Sequence, residues 1–191
     1  NFKRNKKITK FFDDVKKDIL KNVNALLVVD DDSKRPVQPQ PQRQEVQRPW
    51  LNYRVNLFID NSNLEGAPVI MDSNYSYPNI FGKLEYENYY GSLKTDYTML
   101  KPGLLHIANG GYLIMQATDI VSNQYCYETL KKVLRTKELG IENPVDQHSS
   151  MVMVSLKPEP IPLNLKVILI GNEALYQTLI SVDTDFRKLF K

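Results

Sequence analysis

Cysteine is almost missing from this sequence: there is one thiol, Cys126, in 191 residues. One cysteine cannot close an intramolecular disulfide, which excludes a stapled secreted scaffold and makes a reducing compartment, the cytoplasm, the expected location. Glycine is scarce as well, at 8 residues, and this excludes a collagen-like repeat. Long apolar runs are lacking. The longest, at residues 25–29, 112–115 and 167–170, fall far short of the ~20 residues needed to cross a bilayer, so no membrane-spanning helix is expected. Histidine is limited to His106 and His148, which are well separated and have no cysteine pair beside them, so a zinc site is not expected. No initiator methionine opens the chain, which is expected to be a piece of a longer protein. Residues 1–10 are basic but run into Phe11-Phe12-Asp13-Asp14 rather than an apolar core, so no secretory signal is expected.

What is present is the balance of a soluble globular protein: 42% hydrophobic, 25% charged, with 25 basic and 22 acidic side chains for a net charge of +3. The length allows one full domain, or one domain with an appended arm. Charge is unevenly spread. Lys3, Arg4, Lys6, Lys7, Lys10, Lys16, Lys17 and Lys21 stand against Asp13, Asp14 and Asp18, leaving the remainder close to neutral or slightly acidic. Such a run reads as a solvated helix face, or as a surface for an acidic partner.

Phe12, Val15, Ile19, Val23 and Leu26 recur at three- and four-residue steps between lysines and aspartates, which predicts an amphipathic helix over residues 6–25. Residues 30–49 follow with four of the 11 prolines and several glutamines, the composition of a linker. Three segments result: a helical arm at 1–29, a Pro/Gln-rich linker at 30–49, and a core at 50–191. The arm is expected to be mobile or engaged between molecules, with protease cleavage falling between residues 30 and 49. In the core, Tyr53, Val55, Leu57 and Ile59 alternate as in a strand before the turn at residues 60–63, and residues 67–71 read as a second strand. A helical turn at 77–81, a strand at 83–86, an exposed loop reaching Tyr90 and a short helix at 104–108 come next.

Residues 112–115 and 167–170 are continuous apolar runs, the pattern of parallel strands buried on both faces. Between them, Cys126, Leu130, Val133 and Leu134 mark the inner face of a helix at 123–136, and residues 137–157 read as a hairpin excursion. Two short helices, 173–180 and 185–191, close the chain. Strand, helix, strand in this order predicts an α/β fold with helices covering a parallel sheet.

In such sheets ligands collect at the carboxyl ends of the strands, here Gln116-Ala117 and Gly171-Asn172. An amide at each place can hydrogen-bond a ligand oxygen or simply satisfy loop backbone. Standard catalytic patterns are lacking: Gly82-Lys83 is followed by Leu84 and has no glycine five residues earlier, so it is no phosphate loop, and there is no G-x-S-x-G elbow. His106, between Leu105 and Ile107, reads as a packing residue rather than a base. No self-sufficient active site is expected.

Four ordered blocks carry a family resemblance. They are Asn79-Ile80-Phe81-Gly82-Lys83-Leu84-Glu85, the run from Lys101-Pro102-Gly103 through His106 and Gly110-Gly111 to Ile114, Pro158-Glu159-Pro160-Ile161-Pro162, and Leu169-Ile170-Gly171-Asn172. With flanking segments they make residues 53–191 resemble the AAA+ module of Lon-type ATP-dependent proteases, in its LonB-like bacterial branch. The resemblance implies a partial P-loop NTPase core with the helical arm inserted between phosphate loop and Walker B strand. Residues 110–117 occupy the Walker B strand, with Gln116 and Ala117 where active members usually carry Asp and Glu. Asp119 is the nearby carboxylate that could substitute, though its place also fits a turn or a cap. Asn172 falls on the sensor-1 position, Arg187 where a trans-acting arginine would be sought, and the loop 87–95 with Tyr89 and Tyr90 where related motors grip substrate.

The implied cofactors are ATP and Mg²⁺ in the parent protein, with neither expected to bind this piece tightly. The implied partners are protein substrates and further copies in a ring. The phosphate loop is expected upstream and the Ser-Lys protease domain downstream. Three functions compete: part of a motor feeding polypeptide to serine protease sites; a non-hydrolysing scaffold for assembly and gating; and a nucleic-acid contact through Lys34, Arg35, Arg43, Arg48, Trp50 and Arg54.

Overall fold

The computed structural model describes residues 5–24, 53–89, 92–142 and 156–191, and contacts divide the chain into two compact units, Asn1–Val55 and Asn56–Lys191. The expected linker, the basic set from Lys34 to Trp50, Tyr90 and residues 143–155 lie outside the described residues. No described helix is long and apolar enough to cross a membrane.

In the first unit, α1 spans Lys6–Lys21. It begins where Asn5 caps it, the side-chain oxygen accepting from the Lys7 N–H at 3.0 Å and the Ile8 N–H at 3.5 Å. The regular helix ends at Lys21, is interrupted at Asn22 and is helical again at residues 23–24, and residue 25 of the expected span lies outside the described residues. None of its residues is buried, and Phe12 and Leu20 are 61% and 68% exposed. Within this unit the Tyr53 hydroxyl donates to Asp18 Oδ2 at 2.7 Å.

The second unit is built on three parallel strands, β1 (Val69–Met71), β6 (Tyr112–Gln116) and β9 (Lys166–Ile170), in the order β1-β6-β9. Leu113 lies between Ile70 and Val167, and Met115 beside Leu169. These side chains share one face of the pleat and pack with Ile120, Cys126, Leu130 and Val133 in the core cluster. The helices that supply those residues are α4 (Ala117–Ser122) and α5 (Gln124–Thr136), the latter capped by Asn123, whose Oδ1 accepts from the Cys126 N–H at 3.2 Å.

Burial on both faces is not what the sheet shows. The other face carries Val69, Met71, Tyr112, Ile168 and Ile170, all exposed. Only one layer of described helices backs the sheet, so the continuous apolar pattern of these strands exceeds what this layer covers.

Between β1 and β6 the chain makes α2 (Tyr77–Phe81), β2 (Lys83–Leu84), β3 (Glu87–Tyr89), β4 (Ser92–Lys94), a 3-10 turn at Tyr97–Met99, β5 (Leu100–Lys101) and α3 (Leu104–Ile107). The exposed loop expected here is instead an antiparallel hairpin, with Glu87 opposite Lys94 and Asn88 opposite Leu93. Opposite charge at one end of the register favours this pairing.

The strand expected at 53–59 does not form: residues 54–61 have no regular structure and no partner strand among the described residues. Val55 and Leu57 are 77% and 69% exposed, while Asn56 Nδ2 donates to the Tyr97 carbonyl at 2.9 Å and the Phe58 ring meets His106 edge-on at 5.0 Å. Two specific contacts thus decide which residues face inward, against the alternation of apolar residues. The turn that follows is as expected, with Asp60 Oδ1 accepting from the Ser62 N–H at 2.9 Å.

The excursion after α5 is present in outline. Lys137, in the left-handed region at φ 56°, turns the chain into β7 (Glu138–Leu139), which pairs antiparallel with β8 (Ile161–Pro162). The chain then ends in α6 (Glu173–Val182) and α7 (Thr184–Leu189).

Candidate functional site at the carboxyl ends of the parallel strands

Parallel pairing sets Gln116 opposite Ile170, so the last residues of β6 and β9 reach the same edge of the sheet. The Gln116 N–H donates to the Tyr75 hydroxyl at 3.3 Å. Ala117 starts α4 and is 5% exposed, and a Cβ placed on Gly171 would lie 3.1 Å from its methyl. The structure therefore brings Gln116, Ala117, Gly171 and Asn172 together. Beside them is a cavity of about 210 Å³ lined mainly by Ala117, Leu169, Asn172, Glu173, Tyr176 and Phe186.

Asn172 occupies the N-cap of α6, its Oδ1 accepting from the Leu175 N–H at 2.8 Å. That bond satisfies one of the orphan donors of the helix start and fixes the side chain. Its amide nitrogen is the atom left to meet a ligand oxygen. Asp119 is exposed and sits in the first turn of α4, where the helix dipole favours negative charge. It is therefore neither a turn residue nor a cap but part of the first turn of a short helix whose N-cap is Gln116.

Arg187 is not brought to the strand ends within this chain. Its guanidinium donates to the Ile180 carbonyl at 2.7 Å, closing the last turn of α6, roughly 12 Å along the axis from Asn172. Tyr89 ends β3 opposite Ser92, at the outer end of the hairpin. His106 is buried, as expected, with Nδ1 accepting from the Gly103 N–H at 3.2 Å.

One polar cluster escaped the sequence reading. Asp183 Oδ2 accepts from the Tyr127 hydroxyl and from Lys131 Nζ, both at 2.7 Å, while its Oδ1 accepts from the N–H groups of Asp185 and Phe186 at 2.9 and 3.1 Å and caps α7. Burial opposes ionisation of this carboxyl, but the bonds from Lys131, Tyr127 and the two amides outweigh it and hold Asp183 well below the usual carboxylate range. Burial and the adjoining carboxylate push the Tyr127 hydroxyl up. Burial works to lower the Lys131 ammonium, yet its bonds to Asp183 and Glu128 leave it raised. The capping role of Asp183 was legible from an aspartate just before a helix; its partners 52 and 56 residues away were not.

Chemically the strand ends offer amides and a methyl. Among the described residues no three His, Cys, Asp or Glu side chains gather to hold a metal ion.

A family profile described as "LonB-like, AAA domain" matches residues 65–191. Over 87 residues the chain is 38% identical to a Lon protease homolog of Haemophilus influenzae, a stretch covering 44% of this chain and 13% of that protein.

Proposed function

Because the chain belongs to the LonB-like AAA domain family, we propose that it serves, in a Lon-like protease, as the module that engages polypeptide substrate and contributes to ring assembly, with weak or absent ATP turnover at its own strand ends. The observation that carries this reading is the end of β6. A hydrated Mg²⁺ calls for carboxylate or phosphate oxygens, and an attacking water needs a group that orients it. Here the corresponding positions are a half-buried amide, Gln116, and a buried methyl, Ala117. The Asn172 oxygen is engaged in its cap. These residues do not fit a metal–nucleotide centre, and no step is derived through one.

What remains is an α/β body with a hairpin that carries Tyr89 at its outer end. Large amphipathic rings contact varied polypeptides without needing a particular sequence, which supports the hairpin as the substrate-engaging part. Delivery of substrate to a serine protease domain, a homo-oligomeric ring and a cytoplasmic location belong to the same proposal. The relative named above supports the protease context, and the buried lone thiol fits a reducing compartment.

The test is steady-state ATPase activity of the whole protein beside its Gln116→Asp, Ala117→Glu double variant. Weak turnover that the double variant raises is the expected result. Robust turnover that the double variant leaves unchanged would overturn a non-catalytic strand end and direct attention to Asp119, to be replaced by Asn.

A further inference from the structure

Residues 83–89 and 92–101 form two short antiparallel ladders beside the parallel sheet, together a β stalk. At its base β2 pairs with β5, and farther out β3 pairs with β4. Between the two ladders Thr95 Oγ1 donates to the Glu85 carbonyl at 2.7 Å and the Glu85 N–H to the Met99 carbonyl at 3.0 Å. Lys83 and Lys101 flank the Glu85 carboxylate at 2.6 and 4.0 Å. The stalk is braced within itself and tied to the segment before β1 by the Asn56 Nδ2 bond to the Tyr97 carbonyl at 2.9 Å, so its direction is decided by that bond together with the junction where it joins the body.

That junction is a crossing of two glycines. A Cβ on Gly103 would fall 2.3 Å from the Gly82 nitrogen and 2.4 Å from the Ile80 carbonyl oxygen, and Gly82 has φ +86°. Only residues without a side chain let the two backbones pass so closely, and the same residues impose little restriction of their own. Something else has to restrict the neck. His106 lies beneath the crossing, 2% exposed. Its Nδ1 accepts from the Gly103 N–H at 3.2 Å, its Cε1 would be 3.3 Å from a Cβ on Gly82, and the Phe58 ring stands against it at 5.0 Å and 90°. Since Nδ1 accepts, the ring proton resides on Nε2, a buried atom without a hydrogen-bond partner among the described residues. A core position that needed only bulk would be filled better by leucine, without the cost of that orphaned N–H.

We propose that His106 is a positioning residue of the stalk: by accepting the Gly103 N–H at the glycine crossing, it locks the neck and, together with the Asn56 bond, sets the direction in which the hairpin projects. The bond is the half of a capping box in which the third helical residue reaches back to the N-cap amide. This deepens the reading of the hairpin as the polypeptide-engaging part, but the lock itself is tested on the chain alone.

Amide hydrogen exchange is compared among the unaltered chain, His106→Leu and His106→Asn. Asparagine places Oδ1 one bond from Cγ, as histidine places Nδ1, and so keeps the acceptor. In His106→Leu, amides at the neck, residues 82–85 and 99–107, are expected to exchange about ten-fold faster while β6 and α5 keep their protection, and His106→Asn is expected to restore most of the difference. Uniform loosening of the whole unit by His106→Leu, unchanged exchange at the neck, or an Asn variant as loose as the Leu variant would each overturn the lock. Degradation of an unfolded polypeptide by the whole protein separates the two ideas. A neck loosened in His106→Leu with degradation unimpaired upholds the lock and removes the hairpin from substrate contact.

Discussion

Asn172 and Asp183 stand at opposite ends of α6, and the difference between an amide and a carboxylate decides what each contributes. Asn172 caps without charge and leaves an amide donor at the strand ends. Asp183 holds a charge in a largely buried place and orders three helices around it, because Tyr127 and Lys131 come from α5 and the capped amides from α7. Replacing it by asparagine leaves Lys131 with Glu128 alone, at 3.0 Å on the exposed side. Loss of about 2–4 kcal/mol is expected for Asp183→Asn, read from the urea midpoint with the denaturant slope unchanged. Its folded pKa is depressed, so its contribution is full above the ordinary carboxylate range and is lost as pH falls below it. His106 titrates in a separate window. Burial lowers its imidazole from 6.5 to about 4, so the unfolded chain binds the proton first and stability falls as pH drops from 6.5 toward 4. Up to about 3 kcal/mol is involved, and His106→Asn is expected to flatten that part of the stability–pH curve.

Among the elements, α1 buries no residue, and of the stalk's described strand residues only Leu84 is buried. The stalk's strands are held by their own ladders and by bonds such as that from Asn56 to the Tyr97 carbonyl, an arrangement that presents a hairpin without needing a core of its own. Replacing Tyr89 and Tyr90 by alanine in the whole protein is expected to slow degradation of an unfolded polypeptide several-fold, about the loss of one or two aromatic contacts. Cleavage of a small peptide should stay nearly intact. Equal loss of both activities would indicate damage to folding instead. The arm differs in kind: α1 leaves an apolar stripe exposed on one side and lysines on the other, as the periodicity of its residues implies.

For the molecule as a whole, the outer face of the sheet matters most. Val69, Met71, Tyr112, Ile168 and Ile170 form a contiguous apolar set across three strands, and among the described residues β9 is an edge strand. Exposed apolar faces and open edges drive association. The chain is expected to self-associate with rising concentration in sedimentation velocity, and Ile168→Lys with Ile170→Thr to shift it toward monomer with little change in melting temperature. Association unaffected by the pair would locate the contact elsewhere, with the α1 stripe the next to alter.

Much of this protein is dictated locally. The helices at 6–21, 77–81, 124–136 and 173–182, the parallel strands and the turn at Asp60 follow from spacing, caps and turn residues, all short-range properties of the chain. The identity of the strand-end residues is equally local, and the amide-and-methyl character of Gln116 and Ala117 needed no structure to be read. Contacts between residues far apart in sequence are what only the tertiary structure decided. Whether Val55 or Phe58 faces inward depended on His106 and Tyr97, about 40 or more residues away; Asp183 acquired its character from Tyr127 and Lys131; and the one-sided burial of the sheet depended on how many helices lie against it. The physical reason is that spacing states which side chains share a face, whereas burial and electrostatics depend on what is packed against that face.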